Sequence, residues 1–502
     1  MGLERVASIR LAGPAGGSEK TGQWFPAERT LLILFLCVAA LTALRLAALA
    51  FSSTNLFFDE AQYWFWSREL ALGYYSKPPL IAWIIRASTE ICGMGEACIR
   101  APAPLIHAGT ALLVYGIGRR LYDARIGFWA GLIYATLPGV SLSATLISTD
   151  APLLFFVALA LLAISALRER VSWAWVAILG AALGLGLLSK YAMSYFFLGF
   201  VLYGLGTREG RALLRNPRIY VAFAIAAAMI APNILWNARH KFATLAHTAD
   251  NAAWGDGLRP VAALEFAAEQ FAVFGPVLFG ALLWYCLRPA WKPGEWRKVA
   301  GAERLLLAFS VPVVVLMIGQ ALLSRAHANW GAFAYIAATV LITAVMLRGG
   351  WLRLFRFSLA LHLTALVVLA AGGILAGRMA LPLAGHPYER VLGWKELAQA
   401  AGEKARAEGF RAVATDRRNL SAELSYYLRD AGIPVVALVA GDRARDHFEL
   451  TQPLRPDTPR PILLVSFSAA KPEAAIEAGS MEIAAGKRRR KVFFYAIRGS
   501  IE

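Results

Sequence analysis

Long runs of apolar residues constrain the fold of this chain more than any other feature of its sequence. Each run is close to the roughly 20 residues that a helix needs to cross the hydrocarbon core of a bilayer. The runs lie near residues 30–51, 101–118, 126–146, 151–167, 172–189, 191–206, 219–236, 267–287, 305–323, 328–347 and 354–377. We therefore predict a polytopic α-helical membrane protein with about eleven spans. The number of spans can differ by two, because closely spaced apolar runs can be divided differently.

The composition excludes several other classes of protein. Hydrophobic residues make up 58% of the chain and charged residues 17%. A soluble protein of this kind would aggregate, and a disordered chain is much poorer in apolar residues. Four cysteines are too few for a disulfide-dense scaffold or a multi-cysteine metal protein. The net charge of +18 would suggest a nucleic-acid partner in a soluble protein, but the positions of the charges give it another meaning.

Basic residues collect in alternate connections between the runs, and the positive-inside rule places those connections in the cytoplasm. They are Arg119, Arg120, Arg125, Arg168, Arg170, Arg208, Arg211, Arg215, Arg218, Arg288, Lys292, Arg297, Lys298, Arg304, Arg348, Arg353 and Arg356. The remaining connections, 52–100, 147–151, 189–191, 237–266 and 324–329, are then outside. The positive charge is thus a signal of orientation, and no nucleic-acid partner is predicted.

The chain divides into three parts. Residues 1–28 form a polar cytoplasmic tail, 29–378 form the membrane domain, and 379–502 carry more charge and shorter apolar runs. Helices are predicted at 393–409 and 419–430, and strands at 411–415, 435–439, 462–467 and 492–497, a pattern typical of a small α/β domain. An odd number of spans places this domain outside, and one span more or fewer would reverse that. The basic run 487–491 either contacts anionic head groups or is a solvated loop.

The first outer loop, 52–100, opens with two adjacent carboxylates, Asp59 and Glu60, followed by tryptophans typical of a membrane interface. The segment 60–70 is predicted to form a helix in the plane of the head groups, and 80–91 a second one. Between them, two prolines after Lys77 fix an extended turn that holds this ammonium near the same interface.

Other polar residues also lie at the outer ends of spans, where charged groups are costly and are functional candidates. Asp150 is either such a group or an ordinary helix N-cap, and Lys190 is either a site residue or a snorkelling lysine. Arg45 is expected to snorkel. Arg325 and His327 share one outer connection, and a basic cluster occupies 239–241. Cys92 and Cys98 share the first outer loop, and an oxidising compartment predicts a disulfide between them.

This set of side chains suits one kind of chemistry. A carboxylate can act as general base towards a hydroxyl nucleophile, and cations can stabilise a phosphate. No nucleotide sugar exists outside the cytoplasm, so the group to be transferred must arrive already activated on a lipid phosphate.

Four motifs of the chain resemble those of the bacterial GT-C glycosyltransferases, which include the aminoarabinose and galacturonate transferases of lipid A and the protein O-mannosyltransferases. The motifs are Phe58-Asp59-Glu60-Ala61-Gln62-Tyr63-Trp64, Gly73-Tyr74-Tyr75-Ser76-Lys77-Pro78-Pro79-Leu80, Thr149-Asp150-Ala151-Pro152-Leu153 and Gly186-Leu187-Leu188-Ser189-Lys190. The likeness covers the chain to about residue 378, and the α/β tail is similar to the periplasmic domain of such enzymes.

The resemblance implies an inverting glycosyltransferase of the bacterial inner membrane, with a polyprenyl-phosphate sugar donor and a periplasmic active site. Asp59 would be the catalytic base, Glu60 would orient it or support the acceptor, and Asp150 would form part of the acceptor or sugar site. Contacts to the donor phosphate or sugar are expected from Lys77, Tyr75, Lys190, Arg325 and His327.

One departure from the family pattern bears on the sugar. In the aminoarabinose transferases an acidic residue commonly precedes the lysine of the Lys-Pro-Pro motif, whereas this chain has Ser76. A donor sugar other than aminoarabinose is therefore expected. No metal site is predicted, although a divalent ion could use Asp59 and Asp150.

The acceptor and the alternatives remain open at this point. An envelope glycolipid such as lipid A or core, another glycan, or a protein could accept the sugar, and the chain is expected to be a monomer among membrane lipids. A transporter or flippase for an anionic lipid-linked substrate is the main alternative, but such proteins tend to have inverted repeats and charges at the midplane. A membrane anchor for a periplasmic binding domain would leave the first-loop motifs unexplained.

Overall fold

The computed structural model describes residues 29–252, 257–291, 294, 299–378, 388–439, 441, 443–473, 475–485 and 488–499. The predicted tail 1–28, the basic residues Lys292, Arg297 and Lys298, and the first residue of the run 487–491 lie outside the described residues.

The membrane domain consists of helices. They are α1 Thr30–Ala50, α2 Phe58–Arg68, α3 Leu80–Cys92, α4 Glu96–Arg100, α5 Pro102–Leu121, α6 Ala124–Thr136, α7 Pro138–Ser143, α8 Asp150–Leu167, α9 Trp173–Ser189, α10 Tyr195–Gly206, α11 Arg208–Arg215, α12 Pro217–Arg239, α13 Ala243–Ala252, α14 Pro260–Val273, α15 Pro276–Trp291, α16 Gly301–Ala308, α17 Val311–Leu323, α18 Ala334–Arg348 and α19 Leu352–Leu375.

The polytopic membrane fold is confirmed, but the predicted span count differs from what the helices show. Within the described ranges, six stretches of helix are long and apolar enough to cross a bilayer, or seven if the pair Pro260–Val273 and Pro276–Arg288, bent by 119°, forms one span. Three further predicted runs are shorter apolar helices, at Trp173–Ser189, Tyr191–Gly206 and Ala334–Arg348. The run near 126–146 is broken at Pro138, which begins a new short helix. Hydropathy counts apolar length and does not register such breaks.

Contacts divide the connections into the same two sets that the charge pattern predicts. On one side, Arg120 pairs with Glu169 at 2.6 Å and the Arg348 guanidinium lies 4.6 Å from the centroid of the Tyr122 ring. On the other side, the first loop, the turn before α8, the ends of α9 and α12, and the connection after α17 are joined by the hydrogen bonds described below. Residues that carry the candidate chemistry therefore gather at one end of the helical bundle.

The C-terminal region is a small α/β fold, as the sequence predicts. Its elements are α20 Trp394–Ala407, β1 Ala412–Thr415, α21 Arg418–Tyr427, β2 Val435–Ala437, α22 His447–Thr451, β3 Ile462–Ser466, β4 Ala475–Ala485 and β5 Arg488–Ile497. The sheet order is β2-β1-β3-β5-β4, with β1 parallel to β2 and β3, and β5 antiparallel to β3 and β4.

Two expectations for this region are wrong in detail. The sequence did not predict the edge strand β4, whose mixed polar and small residues lack a clear alternation. The described part of the basic run 487–491 belongs to β5 and pairs with β4, so it is part of a strand and not a loop. An edge hairpin has one face open to solvent, which tolerates arginines in a strand.

Aromatic side chains pack the C-terminal region onto the first loop of the membrane domain. The ring of Trp64 meets Tyr426 edge-on with centroids 5.0 Å apart, and Phe65 contacts Phe448 at 4.8 Å. His447 lies against Trp66 at 5.4 Å. Helix α2 is therefore enclosed between the membrane spans and the sheet domain, and this position determines which of its residues remain accessible.

Candidate active site

Helix α2 turns its two adjacent carboxylates in different directions, because successive residues of an α-helix are about 100° apart around its axis. Asp59 faces the C-terminal region, where its Oδ1 atom is 3.0 Å from Nη1 of Arg418. Both side chains are 34% exposed. Asp59 is thus an accessible, singly paired carboxylate.

Glu60 points into the interior and is only 1% exposed. Its carboxylate accepts hydrogen bonds from Nε and Nη2 of Arg100 at 2.9 and 2.7 Å, and from the backbone N–H groups of Phe57 at 2.8 Å and Ile147 at 2.9 Å. Arg100 also binds the oxygens of Thr54 and Asn55. The carboxylate is saturated, so its contacts support a structural role and not the catalytic one predicted from the sequence.

The loop that carries Lys77 is clamped between α2 and α12. Tyr74 stacks on Trp66 with ring centroids 4.7 Å apart, and its carbonyl accepts a hydrogen bond from the Thr244 hydroxyl at 2.6 Å. Gly73 lies so close to α12 that a Cβ atom there would be 2.5 Å from the ring of Trp236. These contacts fix the backbone of the loop just before Lys77 and the two prolines.

Asp150 begins α8, but its side chain does not cap the helix. Its Oδ1 atom accepts a hydrogen bond from Nζ of Lys190 at 2.6 Å, and Oδ2 accepts one from Nδ2 of Asn329, also at 2.6 Å. Asp150 therefore does not act as a side-chain N-cap, and Lys190 forms an ion pair and does not snorkel. Three connections that are distant in sequence meet at this carboxylate.

Lys77 lies close enough to two ion pairs, Asp59 with Arg418 and Asp150 with Lys190, for their charges to act on its ammonium. Burial and the neighbouring Lys190 ammonium lower the pKa of Lys77, while the Asp59 and Asp150 carboxylates oppose the shift. No hydrogen bond or ion pair joins its ammonium to another residue in the described part of the chain. A desolvated cation of this kind is stabilised by an incoming anion.

Tyr63 lies on the same side of α2 as Asp59, one helical turn further on. Burial, and next the Asp59 carboxylate, raise the pKa of Tyr63 well above its usual value, and Asp150 adds to the effect. Its hydroxyl has no hydrogen-bond partner among the residues that are described. The sequence placed Tyr63 in a motif without giving it a role, and its position beside both carboxylates makes it a further site residue.

The other predicted contacts form the rim of this site. The Tyr75 ring is 5.6 Å from that of His247, and its hydroxyl donates to the Ala444 carbonyl at 3.0 Å. His247 shares a hydrogen bond of 2.9 Å with Asn251, and Nη2 of Arg325 donates to Oδ1 of the same asparagine at 2.6 Å. Burial, and then the charges of Lys77 and Arg418, lower the pKa of His247 to about 4.

His327 is exposed and packs edge-on against Trp330 with centroids 5.3 Å apart. Burial and the charge of Arg325 lower its pKa. The charge of Lys190 also acts on His327. Among the described residues, His327 makes no hydrogen bond or ion pair with Asp59 or Asp150. Asn329, two residues along the chain, makes the direct contact instead.

The remaining predicted residues take these positions. Cys92 and Cys98 are joined in a disulfide at the end of the first loop. Arg45 does not snorkel: it is 6% exposed, and its Nη2 atom donates to the Ala135 carbonyl and to the Ser141 hydroxyl. The basic cluster at 239–241 is exposed, with His240 stacked on Trp236 at 4.0 Å.

A cavity of about 350 Å³ lies on the Glu60 side of α2, with lining residues that include Leu44, Leu49, Leu366 and Arg390. Asp59 is not among its lining residues, so this cavity is separate from the carboxylate site. Where the chain is described, no group of three or more His, Cys, Asp or Glu residues is arranged to hold a metal ion. Asp59 and Asp150 are each engaged by a cation instead.

The main site residues that the sequence did not single out are Arg418, Asn329 and His247. Arg418 lies in the C-terminal region, where arginines are ordinary and no motif marks it. Asn329 lies in the connection that was singled out for Arg325 and His327, but its partner Asp150 is 179 residues away in the sequence, so no local pattern marks it.

Comparisons with known proteins show which family the chain is similar to. A family model described as dolichyl-phosphate-mannose-protein mannosyltransferase matches residues 76–236. The chain is 37% identical over 436 residues to the lipid A galacturonosyltransferase RgtD of Rhizobium johnstonii, which covers 86% of this chain and 90% of that protein. It is 28% identical over 169 residues, or 32% of its length and 30% of the relative, to the undecaprenyl phosphate-alpha-4-amino-4-deoxy-L-arabinose arabinosyl transferase of Pseudomonas aeruginosa.

The fold is also similar to a solved structure. The crystal structure of ArnT from Cupriavidus metallidurans bound to undecaprenyl phosphate superimposes with a TM-score of 0.63. The alignment covers 94% of this chain and 99% of that chain at 17% sequence identity. Likeness at this level of identity concerns the fold, and the roles of individual side chains must come from their own contacts.

Proposed function

The chain belongs to the bacterial GT-C glycosyltransferases of the aminoarabinose, galacturonate and protein mannosyl transferase type, and from this premise we propose that it moves a sugar acid from polyprenyl phosphate to an envelope glycolipid. The site lies at the periplasmic face of the inner membrane, because the positive-inside rule assigns the opposite connections to the cytoplasm. Residues 379–502 form a periplasmic domain that covers the site.

One observation carries the proposal. The charges of two carboxylates, Asp59 and Asp150, act on the Lys77 ammonium at one end of the bundle. This ammonium has no hydrogen-bond or ion-pair partner among the described residues. A lipid-linked donor has its tail in the membrane and its phosphate at that depth, so Lys77 binds the phosphate. A transporter needs its charged groups along a path through the membrane, whereas these groups lie at one end.

The transfer step can be written from these groups. Asp59 takes the proton from the acceptor hydroxyl as the acceptor oxygen forms a bond to the anomeric carbon. The bond between that carbon and the phosphate oxygen breaks, and polyprenyl phosphate leaves with the electron pair. Lys77 stabilises the charge that develops on the phosphate. Attack opposite to the leaving group inverts the anomeric configuration.

Asp150 is proposed to bind the sugar, because Lys190 and Asn329 fix both of its oxygens. A carboxylate held in this way is a poor base but a rigid acceptor for sugar hydroxyls. Tyr63 is well placed to add a hydrogen bond from its unpaired hydroxyl.

A relative of the chain and the charges around the site bear on the donor sugar and its carrier. Three cations, Lys77, Lys190 and Arg418, lie near the two carboxylates Asp59 and Asp150. At the rim, Arg325 is accompanied by the acidic residues Asp250 and Glu269. The single excess positive charge around Asp59 and Asp150 balances the phosphodiester of a lipid-linked donor. The uronic acid is assigned from the lipid A galacturonosyltransferase that is 37% identical to this chain over 86% of its length.

The experiment uses the purified chain in nanodiscs with lipid A as acceptor. Undecaprenyl phosphate carrying galacturonic acid is compared with the same carrier bearing aminoarabinose, and product is followed by mass spectrometry. We expect transfer of the uronic acid only. Transfer of aminoarabinose alone would overturn the assignment of the sugar, and no transfer from any lipid-linked donor would overturn the function. Comparative glycolipid mass spectrometry of a deletion strain identifies the natural acceptor.

A further inference from the structure

The C-terminal region contributes a side chain to the active site through Arg418, at the start of α21. Its Nη1 atom is 3.0 Å from Oδ1 of Asp59, and its guanidinium lies 4.7 Å from the ring centroid of Phe58, the preceding residue of α2. A longer contact of 3.5 Å joins the same Nη1 atom to Oε1 of Gln62. Arg418 therefore touches α2 at three places on its accessible side.

Helix α21 holds this arginine in a fixed position relative to Asp59. At its far end, the Tyr427 hydroxyl accepts a hydrogen bond from the Leu56 N–H at 2.9 Å and contacts the Glu96 carboxylate. The Tyr426 hydroxyl donates to the Met94 carbonyl at 2.8 Å. The helix is thus anchored on the first loop by contacts that do not involve Arg418, so loss of the arginine leaves the domain docked.

The pair between Arg418 and Asp59 is not explained by stability. Both side chains are partly exposed, and ion pairs of this kind contribute about 0.2–1 kcal/mol. What the contact does provide is geometry, because it fixes one carboxylate oxygen. No hydrogen bond reaches Oδ2 of Asp59 from any of the residues described, so that oxygen is left open to the site.

We propose that Arg418 is a positioning residue for sugar transfer: it holds Oδ1 of Asp59 so that Oδ2 faces the acceptor hydroxyl. This inference rests on the proposed function, in which Asp59 is the base. It adds that the α/β domain completes the active site and is not merely a cover. Gln62, which contacts Arg418 and also donates to the Ser76 hydroxyl at 3.5 Å, links this arrangement to the loop of Lys77.

The test compares R418A and R418K with R417A in the full-length protein in nanodiscs. Arg417 is the adjacent, exposed arginine and serves as the matched control. We expect R418A to lower kcat by about 10²-fold, the effect of misplacing a reacting group by roughly 1 Å, with the donor KM unchanged. R418K should recover part of the loss, because an ammonium can also bind one oxygen. R417A should behave as the wild type.

A double-mutant cycle separates action through Asp59 from an independent role. In a D59N background, R418A should cause no further loss of kcat. An additive loss would overturn the proposal, as would wild-type kcat in R418A, a failure of R418K to improve on R418A, or a change confined to the donor KM. The last result would make Arg418 a phosphate ligand. If the wild type transfers sugar while R418A is unimpaired, only this inference fails; if the wild type transfers none, the proposed function fails with it.

Discussion

The two faces of helix α2 place the same chemical group in opposite environments. On the open face, Asp59 is a third exposed and has one ionic partner from another domain. On the closed face, Glu60 is buried and its oxygens are saturated by Arg100 and two backbone N–H groups. The comparison shows that adjacent carboxylates in one motif need not share a role: an open oxygen can take a proton, whereas a saturated carboxylate can only hold a structure together.

The largest expected effect tests the closed face. Replacing Glu60 with Gln leaves the buried Arg100 guanidinium without its counter-charge, which costs about 3–5 kcal/mol. We expect a large fall in the apparent Tm in nanodiscs and little folded protein, with transfer activity retained per folded molecule. Asp59→Asn is the control and should unfold close to the wild-type temperature. An E60Q protein that is stable but inactive would assign Glu60 to the chemistry and break the comparison.

The next effect tests the open face. Lys77→Ala should raise the donor KM by roughly 10- to 100-fold, because a hydrogen bond to a charged group contributes about 1.5–3 kcal/mol. Stability should not fall, since the Lys77 ammonium has no partner in the described chain to lose. The donor KM is measured from initial rates at increasing concentrations of the polyprenyl-phosphate sugar. Arg239→Ala, at an exposed outer cation, is the control. Unchanged donor dependence would remove Lys77 from the phosphate site.

Acid should weaken the packing of the C-terminal region against α2. Burial lowers the pKa of His447 to about 3, so the folded protein stays neutral at this ring while the unfolded chain takes up a proton below pH ~6.5. Stability is then full above pH ~6.5 and falls by at most about 1.4 kcal/mol per pH unit down to pH ~3.

The measurement is the apparent Tm between pH 7 and pH 4. His447→Phe keeps a ring against Trp66 and should flatten this dependence. A wild-type Tm that does not change over this range would contradict a buried neutral histidine.

The smallest effect concerns a second buried carboxyl on the closed side. Glu423 on α21 is fully buried, and neither of its oxygens has a hydrogen-bond partner among the described residues. Burial, and next the charge of Glu60, raise its pKa well above the usual value. The unfolded chain therefore loses its proton first, and stability falls as the pH rises above the ordinary glutamate value.

Glu423→Gln removes this proton-linked loss. We expect a gain of about 1 kcal/mol at pH 8 and a smaller one at pH 5, read as a shift in apparent Tm. Destabilisation at pH 8 would indicate an ionised, paired Glu423 and would make it resemble Glu60.

Much of the site can be predicted from the sequence for one physical reason. Charged groups beside apolar spans are costly, so Asp59, Lys77, Asp150 and Lys190 stand out against their surroundings. Arg418 does not stand out, because an arginine in a polar domain carries no such cost. The structural role of Glu60 could not be predicted, since both carboxylates follow the same span and only the helix geometry and the partner Arg100 separate them.

The fold shows the same division. Apolar runs predict helices in a membrane, and alternating patterns predict most of the terminal sheet. The span count and the strand β4 could not be obtained in this way, because proline breaks and an open-faced hairpin depend on which neighbours the segments find. The orientation came from alternate basic connections, and the contacts group those connections as the charges indicate.

The most direct test of the central claim is the rate of sugar transfer by Asp59→Asn in nanodiscs, with donor binding measured on the same sample. If Asp59 is the base, the rate should fall by about 10²–10⁴-fold while polyprenyl phosphate still binds and the apparent Tm stays near that of the wild type. A D59N protein that transfers sugar at the wild-type rate would contradict the assignment of the open face as the catalytic one.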